Sequence, residues 1–428
     1  MGLTASSVLK LVPTRFSIES ISSLLSNYPE HNFQIKLWDG TAWGCAEKPR
    51  FTIVIKDPIA LRAILLAPSE LTLGESYVFE ELDIEGDIEA AIAVGDYLIS
   101  GDRIPTTAPL LAKLLAFPAE NRRTENPGAQ LAGSPHSHKR DRQAIRYHYD
   151  LPAEFYALWL DQYRLYSCAY FEREGVDLDT AQRHKLDYIC HKLRLSQGER
   201  LLDLGCGFGG LLIHAAKYYG VEAVGITLSV RQAEVARERI RKFGLNGRCR
   251  VELCDYRDLE VDHQFDKVAS VGMFEHVGEK NLREYFARVY QLVRPGGAFF
   301  NSGISASANY VRRGPSFIDR YVFPDGDLVP IHTSLAAAEV CGFEVRDVES
   351  LREHYALTLR QWVRRLEEHA EEAKKIAGRQ AYRIWRLYMA ASAHSFQVGR
   401  TNLYHMLLAK PLNGNAGMPL TRMDWYHD

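Results

Sequence analysis

The sequence predicts an α/β protein in which a small mixed α+β domain precedes a larger domain built on a doubly wound, mostly parallel sheet. From Ala144 onward, apolar strand patterns alternate with helical ones, as in parallel sheets covered by helices. Residues 1–117 mix both patterns, and residues 118–143 are rich in proline, glycine, serine and charge, which is typical of a flexible linker. We therefore expect the larger domain to span 144–410 and a C-terminal tail to span 411–428.

The first domain combines strands and helices. "NFQIKLWDGTAWG" and "PRFTIVIKD" alternate apolar and polar side chains, which is the period-2 pattern of strands, and Asp39-Gly40 suits a hairpin turn. "PIALRAILLAP" has helical spacing, and "GESYVFEELDIEGDIEAAIAVGDYLIS" is interpreted as a short strand followed by a helix.

The larger domain repeats strand and helix several times. The helices "RQAEVARERIRKFG" and "KNLREYFARVYQLVRPGG" both stop at glycine. The predicted strands are "ERLLDLG", "VEAVGITLS", "RVELCDYRDL", "FDKVASVGMFEHV", "GGAFFNSGIS" and, near the C-terminus, "TNLYHMLLAK".

Charge and composition exclude several classes of protein. The net charge is −2 over 428 residues, which provides no basic field for nucleic acid. No apolar run approaches the ~20 residues of a membrane span. The seven cysteines include no C-x-x-C pair, as expected for reduced thiols in the cytosol, and no metal site is indicated.

A glycine-rich turn follows the first strand of the larger domain. In "LLDLGCGFGG", Gly205 and Gly207 let a ligand approach the backbone closely, and the helix that follows favours negative charge at its N-terminus. Dinucleotide-binding proteins use similar turns, so the turn alone is weak evidence. The acid-x-G-x-G-x-G order and the carboxylate of Asp203, which suits a cationic amino-acid end, favour S-adenosylmethionine (SAM) over NAD.

The next two strands end in polar groups suited to a nucleoside. In "GITLSVRQ", Thr227, Ser229 and Gln232 offer neutral hydrogen-bond partners for ribose hydroxyls, where many related folds have an acid. After the third strand, "CDYRDL" supplies Asp255 and Tyr256 where the edge and face of an adenine would lie.

Taken together, "YSCAYF", "LLDLGCGFGG", "GITLS" and "GMFEHVG" resemble the cyclopropane-fatty-acyl-phospholipid synthase family, which includes the mycolic acid cyclopropane synthases. The resemblance covers roughly residues 144–410, and "HYDLPAEFY", "SFIDRYVFPDG" and "REHYALTLRQW" add to it. It implies a Rossmann-like class I SAM-dependent methyltransferase with a seven-stranded sheet, and by analogy with the family it implies that the domain of residues 1–117 is associated with lipid.

The resemblance also implies roles for single residues. Tyr166 and Ser167 would touch the methionine part of SAM, Thr227 and Gln232 the ribose, and Tyr256 the adenine, while Asp203, Gly205 and Gly207 would line the same ligand. A bicarbonate that acts as the base would be surrounded by Glu275, Tyr355, Cys168 and the backbone of Ile304. Cys168 would form a wall of that site and not a nucleophile.

Two positions depart from the family pattern. Pro152-Ala153 replaces a frequent Gly-Asn turn, which should change no chemistry. More importantly, Ser302 stands where the family usually has a histidine that holds the bicarbonate. A serine is shorter and neutral, so it would hold the anion through a water molecule, or the anion site is altered.

An aromatic run, "YHYDLPAEFYALWLDQYRLYSCAYFE", lies just upstream of the glycine turn. Rings can wall off an acyl chain, exclude water and stabilise a nearby cation. Core packing is the expected role of Phe155, Tyr156 and Trp159, whereas Tyr166 belongs to the family motif.

These features predict transfer of the SAM methyl carbon to the double bond of an unsaturated acyl chain, with ring closure to a cyclopropane as the favoured outcome. The runner-up is a methylene- or methyl-branched chain, formed if the cation rearranges by a hydride shift and loses a different proton. A lipid-binding protein with a vestigial cofactor fold and a methyltransferase of soluble small molecules are further alternatives.

The expected partner is an unsaturated phospholipid in a bilayer. The protein would be cytoplasmic, peripheral at the inner membrane surface, and a possible homodimer. The basic end of the linker, "HKRDR", and Arg312, Arg313 and Arg320 are candidates for contact with lipid head groups, although simple solvation is the preferred interpretation of both.

Overall fold

The computed structural model describes residues 14–100, 128–149, 151–260, 264–309 and 316–426. The chain forms two compact units, and both are discontinuous in sequence. The first unit contains Met1–Gly128, Val311–Val322 and Gly378–His394, and the second contains Ala129–Tyr310, Phe323–Ala377 and Ser395–Asp428.

The first unit is a four-stranded mixed sheet with helices. The strand order is β2-β1-β3-β4, in which β1 and β3 are parallel and the other neighbours are antiparallel. The elements are α1 Thr14–Leu25, β1 Phe33–Lys36, β2 Ala42–Gly44, β3 Phe51–Ile55, α2 Pro58–Leu66, α3 Glu70–Val78, β4 Leu82–Gly86 and α4 Ile88–Ile99. The mixed α+β prediction is confirmed.

The stretch "GESYVFEELDIEGDIEAAIAVGDYLIS" contains the predicted short strand, β4, and the helix that follows it, α4. Its first five residues were not assigned from the sequence and form the second half of α3, which Ser69 caps by accepting from Thr72 N at 3.0 Å. The strand begins only at Leu82. Tyr77 of α3 is 2% exposed, and its hydroxyl accepts from the buried Arg386 at 2.8 Å.

The second unit contains a seven-stranded sheet in the order β10-β11-β9-β8-β5-β6-β7. Its strands are β5 Arg200–Leu204, β6 Glu222–Thr227, β7 Cys249–Leu253, β8 Phe265–Val271, β9 Val293–Ala306, β10 Glu344–Ser350 and β11 Thr401–Ala409. Only β11 runs against the others, pairing antiparallel with both β9 and β10. The predicted seven-stranded, mostly parallel sheet is thus confirmed.

Helices pack on the two faces of this sheet in two apolar layers. One layer contains α7 Leu178–Leu193, α8 Gly210–Tyr218 and α9 Val230–Lys242, and the other contains α10 Leu282–Leu292 and α12 Ile331–Val340. The remaining helices of this part of the chain are α5 His138–Tyr149, α6 Ala153–Ala157, α11 Phe317–Tyr321, α13 Arg352–Glu368 and α14 Ala370–Gln397; α11 and most of α14 belong to the first unit. Gly378, with φ of +86°, interrupts α14 where the chain passes between units.

The end of the predicted linker is ordered, which corrects its boundary. Residues 101–127 lie outside the described residues, but the second unit begins at Ala129 and α5 begins at His138. Arg140 of α5 donates to both carboxylate oxygens of Asp325, at 2.5 and 2.8 Å, so it is committed to an ion pair within the unit.

The C-terminal tail also packs on the second unit. Trp425 is 5% exposed, and Arg194 pairs with Asp424 at 2.7 Å. Of the predicted head-group contacts, Arg312 and Arg313 lie outside the described residues, and Arg320 lies 3.5 Å from Glu75 in the first unit. In the part of the chain that the structure describes, every helix is too short or too polar to cross a bilayer.

Candidate functional site

A cavity of about 140 Å³ lies in the second unit where β5, β6 and β8 end. Parallel sheets of this class bind ligands at these carboxyl ends. All nine residues expected to bind the cofactor line it, namely Tyr166, Ser167, Asp203, Gly205, Gly207, Thr227, Gln232, Asp255 and Tyr256. The fold therefore brings them to one place, although their individual contacts with a ligand stay predictions.

The glycine turn forms the floor of the cavity. Gly205 has φ of +83° and Gly207 has φ of +52°, both in the left-handed region that favours glycine. A Cβ on Gly205 would lie 3.0 Å from the Cβ of Met273, so a larger residue would push against the opposite wall. Helix α8 starts at Gly210, which also lines the cavity.

At the end of β6, a hydrogen bond orients the two residues that are predicted to bind the ribose. The hydroxyl of Thr227 donates to Oε1 of Gln232 at 2.9 Å and accepts from Ser229 N at 3.2 Å. Ser229 in turn caps α9, accepting from Gln232 N at 3.3 Å. The Nε2 amide of Gln232 is thus the group that this side chain can offer to a ligand hydroxyl.

Asp255 lines the cavity, but its carboxylate is already bound. Arg257 donates to it from the backbone N at 3.0 Å, from Nε at 2.9 Å and from Nη2 at 2.7 Å. Burial raises the pKa of Asp255, but the bonds from Arg257 outweigh burial and hold the pKa below its ordinary value.

Arg257 also anchors α5 over the cavity. It donates to Asp141 of α5 at 2.8 Å and to the carbonyl of His136 at 3.3 Å. Asp141, Ile145 and Tyr149 of α5 line the cavity. Sequence reasoning missed Asp141 and Arg257, and the only signal was an acid within the otherwise basic "HKRDR".

A buried lysine in the cavity wall was also missed. Lys185 of α7 is 2% exposed, lines the cavity and donates to the Ser167 hydroxyl at 2.6 Å. Burial lowers the pKa of Lys185 to about 8. Burial raises the pKa of Asp203 to about 7, opposed by the charge of Lys185.

Three rings of the aromatic run belong to the core, as predicted. Phe155, Tyr156 and Trp159 are at most 1% exposed. Tyr166 connects this ring cluster to the cavity: it lines the cavity, and its ring centroid lies 5.5 Å from that of Trp159 and 5.4 Å from that of Trp362.

Glu275 lies beside the cavity, which its chain neighbours Met273 and His276 line. Its Oε1 accepts from Ile304 N at 2.8 Å. Its Oε2 is buried without a hydrogen-bond partner among the described residues. Burial raises the pKa of Glu275 to about 7, opposed by the bond from Ile304. The carboxyl group can therefore hold or release a proton near neutral pH.

A chain of backbone contacts links two other predicted catalytic residues to Ile304. Ile304 pairs with Leu403 on β11, whose carbonyl accepts from Leu351 N at 2.8 Å. The Leu351 carbonyl accepts from Tyr355 N at 3.1 Å and lies 4.0 Å from the Cys168 sulfur. Burial raises the pKa of Cys168 to about 12, so the thiol stays protonated, as suits a wall of the site.

Ser302 is buried on β9, two residues before Ile304 and therefore on the same face of the sheet. Its strand neighbours are Val271 on β8 and His405 on β11. His405 is 1% exposed, and burial lowers its pKa well below the ordinary value, so this imidazole is neutral. The pairing of Ser302 with a histidine was not foreseen from the sequence.

Family models match both parts of the chain. The model described as Mycolic acid cyclopropane synthetase matches residues 136–406. A second, Domain of unknown function (DUF7884), matches residues 20–95.

Individual proteins are similar over different lengths of the chain. A Pseudomonas putida protein named "Probable fatty acid methyltransferase" is 43% identical over 92% of this chain and 96% of its own length. The cyclopropane-fatty-acyl-phospholipid synthase of Escherichia coli is 35% identical over 61% of this chain and 66% of its own length. The crystal structure of the mycolic acid cyclopropane synthase CmaA1 with SAH and CTAB matches with a TM-score of 0.59 and 31% identity, over 62% of this chain and 97% of that one.

Proposed function

The chain belongs to the mycolic acid cyclopropane synthetase family, and on that basis we propose that it transfers the methyl carbon of SAM to the double bond of an unsaturated fatty acyl chain in a membrane phospholipid. It is a methyltransferase of lipid-modifying type, and its cofactor is SAM. The phospholipid substrate and peripheral contact with a bilayer are proposals, supported by the name of the E. coli relative.

The residues of the cavity fit SAM. The buried Asp203 carboxylate suits the ammonium group of its amino-acid end, and the Gln232 amide suits the ribose hydroxyls. At Gly207, which lines the cavity, nothing lies within 4 Å of the place of a Cβ, so a ligand has room to approach the backbone there. When bound, SAM supplies an electrophilic methyl group.

The chain itself contributes to methyl transfer in two ways: it aligns the alkene with the methyl group, and it keeps water away from the reacting atoms. An isolated alkene is a poor nucleophile, and holding it in line with the methyl group is worth roughly 7–11 kcal/mol. The methylated acyl chain carries a carbocation, which water would trap. Tyr166, at the cavity wall with Trp159 and Trp362 behind it, excludes water and offers a ring face worth ~0.5–2 kcal/mol to a nearby cation.

The observation that carries the proposal is the burial and hydrogen bonding of the Glu275 carboxyl group. Its Oε1 is fixed on Ile304 N at 2.8 Å, and its buried Oε2 is without a partner among the described residues. That oxygen can accept the proton that the new methyl carbon must lose. A bicarbonate, which the resemblance implies, stays a second possibility for the base, and it would have to share the Ile304 N–H with Glu275 or bind to Oε2.

We propose a methylene-branched product, for two reasons. Ring closure requires the base to remove a proton from the methyl carbon before the neighbouring hydrogen moves with its electron pair to the cationic carbon. If that base is a bicarbonate, Ser302, shorter and neutral, gives it less support than a histidine would. If the hydride moves first, loss of a methyl proton to the base forms C=CH₂, so atoms and electrons balance without a reductant. Additionally, the relative that spans 92% of the chain is named a fatty acid methyltransferase.

Ring closure, ranked first from the sequence alone, is the second candidate. Glu275, Ile304, Cys168 and Tyr355 keep the residue types that the resemblance associates with cyclopropane formation. The relatives named cyclopropane synthases support this candidate, although they match less of the chain.

The test is methyl transfer from isotope-labelled SAM to vesicles. Purified protein should add one labelled carbon to the acyl chains of monounsaturated phospholipid and none to saturated phospholipid. Glu275→Gln should bind SAM but lose this activity, because an amide cannot accept the proton. Equal labelling of soluble acceptors without vesicles would contradict the phospholipid assignment.

A further inference from the structure

Two buried lysines on α7 have different surroundings. Lys192 is 1% exposed and pairs with Asp347 at 2.8 Å and with Glu349 at 2.6 Å, which accounts for its burial. Lys185 is 2% exposed, but its hydrogen bond goes to a neutral group, the Ser167 hydroxyl, at 2.6 Å. Burying an ammonium group is costly unless charge and hydrogen bonds compensate.

The hydrogen bond fixes what Ser167 can do. An ammonium group has no acceptor, so Lys185 is the donor and the Ser167 oxygen is the acceptor. The hydroxyl hydrogen of Ser167 is then free to point at another acceptor, and both residues line the cavity. Lys185 thereby makes Ser167 a donor to the ligand.

Two acids complete the charge pattern. Asp203 and Asp161 are at most 3% exposed, and the charge of Lys185 lowers the pKa of each against the effect of burial. Asp161 is occupied by the backbone N–H groups of Tyr163 at 2.6 Å and Leu165 at 3.0 Å. Asp203 lines the cavity and can bind a ligand's ammonium group. The same end of the cavity therefore offers the carboxylate of Asp203 and the Ser167 hydroxyl, which accepts from the Lys185 ammonium.

We propose that Lys185 is a positioning residue for the cofactor: through the Ser167 hydroxyl it holds the α-carboxylate of the amino-acid end, while Asp203 takes the α-ammonium. The site thus selects a zwitterionic amino-acid end over analogues that lack the carboxylate. This inference rests on the cofactor site of the proposed function and adds to it the group that recognises the carboxylate.

The experiment is a cycle of two ligands and two proteins. S-adenosylhomocysteine and its decarboxylated analogue are titrated by calorimetry into wild type and Lys185→Met. In wild type, loss of the carboxylate should weaken binding by about 10- to 100-fold, as for a hydrogen bond to a charged group. In Lys185→Met the same loss should cost less than about threefold, because the Ser167 hydroxyl is no longer held as a donor to the carboxylate or backed by a cation.

Lys192→Met is the matched control, since it removes a buried ammonium from the same helix but one that does not line the cavity. It should keep the wild-type ratio between the two ligands. A purely structural role for Lys185 would weaken both ligands equally in Lys185→Met, and that result would overturn the proposal.

Ser167→Ala covers the case in which Lys185→Met does not fold. It removes the hydroxyl between Lys185 and the ligand, so it should also reduce the ratio, and an unchanged ratio would sink the idea. Equal binding of both ligands by wild type would do so without any variant. If S-adenosylhomocysteine does not bind at all, the cofactor site itself fails. If it binds with the expected ratio but vesicles are not methylated, the proposed function fails and the role of Lys185 stands.

Discussion

Replacing Glu275 by glutamine should make the protein more stable at high pH while removing its activity. The folded pKa is about 7 against an ordinary 4.5, because the carboxyl group is buried. A raised carboxyl pKa means that the folded state holds the proton more tightly than the unfolded chain. The resulting penalty is absent below the ordinary pKa, grows as pH rises toward 7, and is complete above it.

The size of this penalty follows from the shift. At 1.36 kcal/mol per pKa unit, ionised Glu275 costs the fold about 3 kcal/mol above neutral pH. Glutamine keeps an oxygen for Ile304 N but buries an amide NH₂, which costs roughly 1–2 kcal/mol. Glu275→Gln should therefore gain about 1–2 kcal/mol at about pH 8 and lose that gain at about pH 5, where the wild-type carboxyl is protonated.

Calorimetric unfolding midpoints of wild type and variant at the two pH values measure this difference. Asp255→Asn is the control with opposite sign. Burial raises the pKa of Asp255, but the bonds from Arg257 outweigh it, so the carboxylate stabilises the fold above its ordinary pKa. That variant should lower the midpoint at both pH values. A Glu275→Gln shift that is the same at both would refute the reasoning.

Four further outcomes are expected. Methyl transfer should rise as pH passes about 7, because Glu275 must be ionised to accept a proton, and a rate profile with no rise there would exclude it as the base. Ser302→His should increase the cyclopropane fraction of the product, measured by NMR, because a histidine would hold a bicarbonate base near the methyl carbon. Arg257→Met should weaken S-adenosylhomocysteine binding at least about tenfold, since helix α5 loses its anchor, whereas Arg250→Met, in an exposed pair, should not. The Cys168 thiol, whose pKa is raised to about 12 by burial, should resist alkylation in the native protein and react on unfolding, as followed by mass spectrometry.

The sequence predicted what short-range patterns determine. The buried strand "RLLDL", its glycine turn and the polar ends of the next strands are each encoded within about ten residues, and the carboxyl ends of parallel strands then meet at one edge of the sheet. This is why the residues expected to bind the cofactor line one cavity. Burial of Phe155, Tyr156 and Trp159 followed from their number and spacing in the same way.

Such local patterns did not predict contacts between residues that are far apart in the sequence. Lys185 lies in "AQRHKLDY", which is compatible with an exposed helix face, and only the packing of α7 buries it beside Ser167. Arg257 reaches Asp141, 116 residues earlier in the chain. The neighbour of Ser302 on β11 depends on strand register, which alternation of residue types does not fix.

The boundaries of the units were missed for a similar reason. Val311–Val322 and Gly378–His394 belong to the first unit although they lie within the predicted larger domain. Their periodicity is ordinary for a methyltransferase helix, and the buried Arg386 bonded to Tyr77 becomes meaningful only once both are in contact.

The measurement that tests the central claim most directly is the proton NMR spectrum of the lipid product. Wild-type protein is incubated with SAM and vesicles of monounsaturated phospholipid, and the methyl esters of the acyl chains are isolated. A ring and a methylene branch have the same mass, so NMR must separate them. The account predicts vinylidene signals in wild type and none with Glu275→Gln. Cyclopropane signals upfield of the methyl region would contradict the branched product and restore ring closure, and an unmethylated alkene would contradict acyl methyl transfer itself.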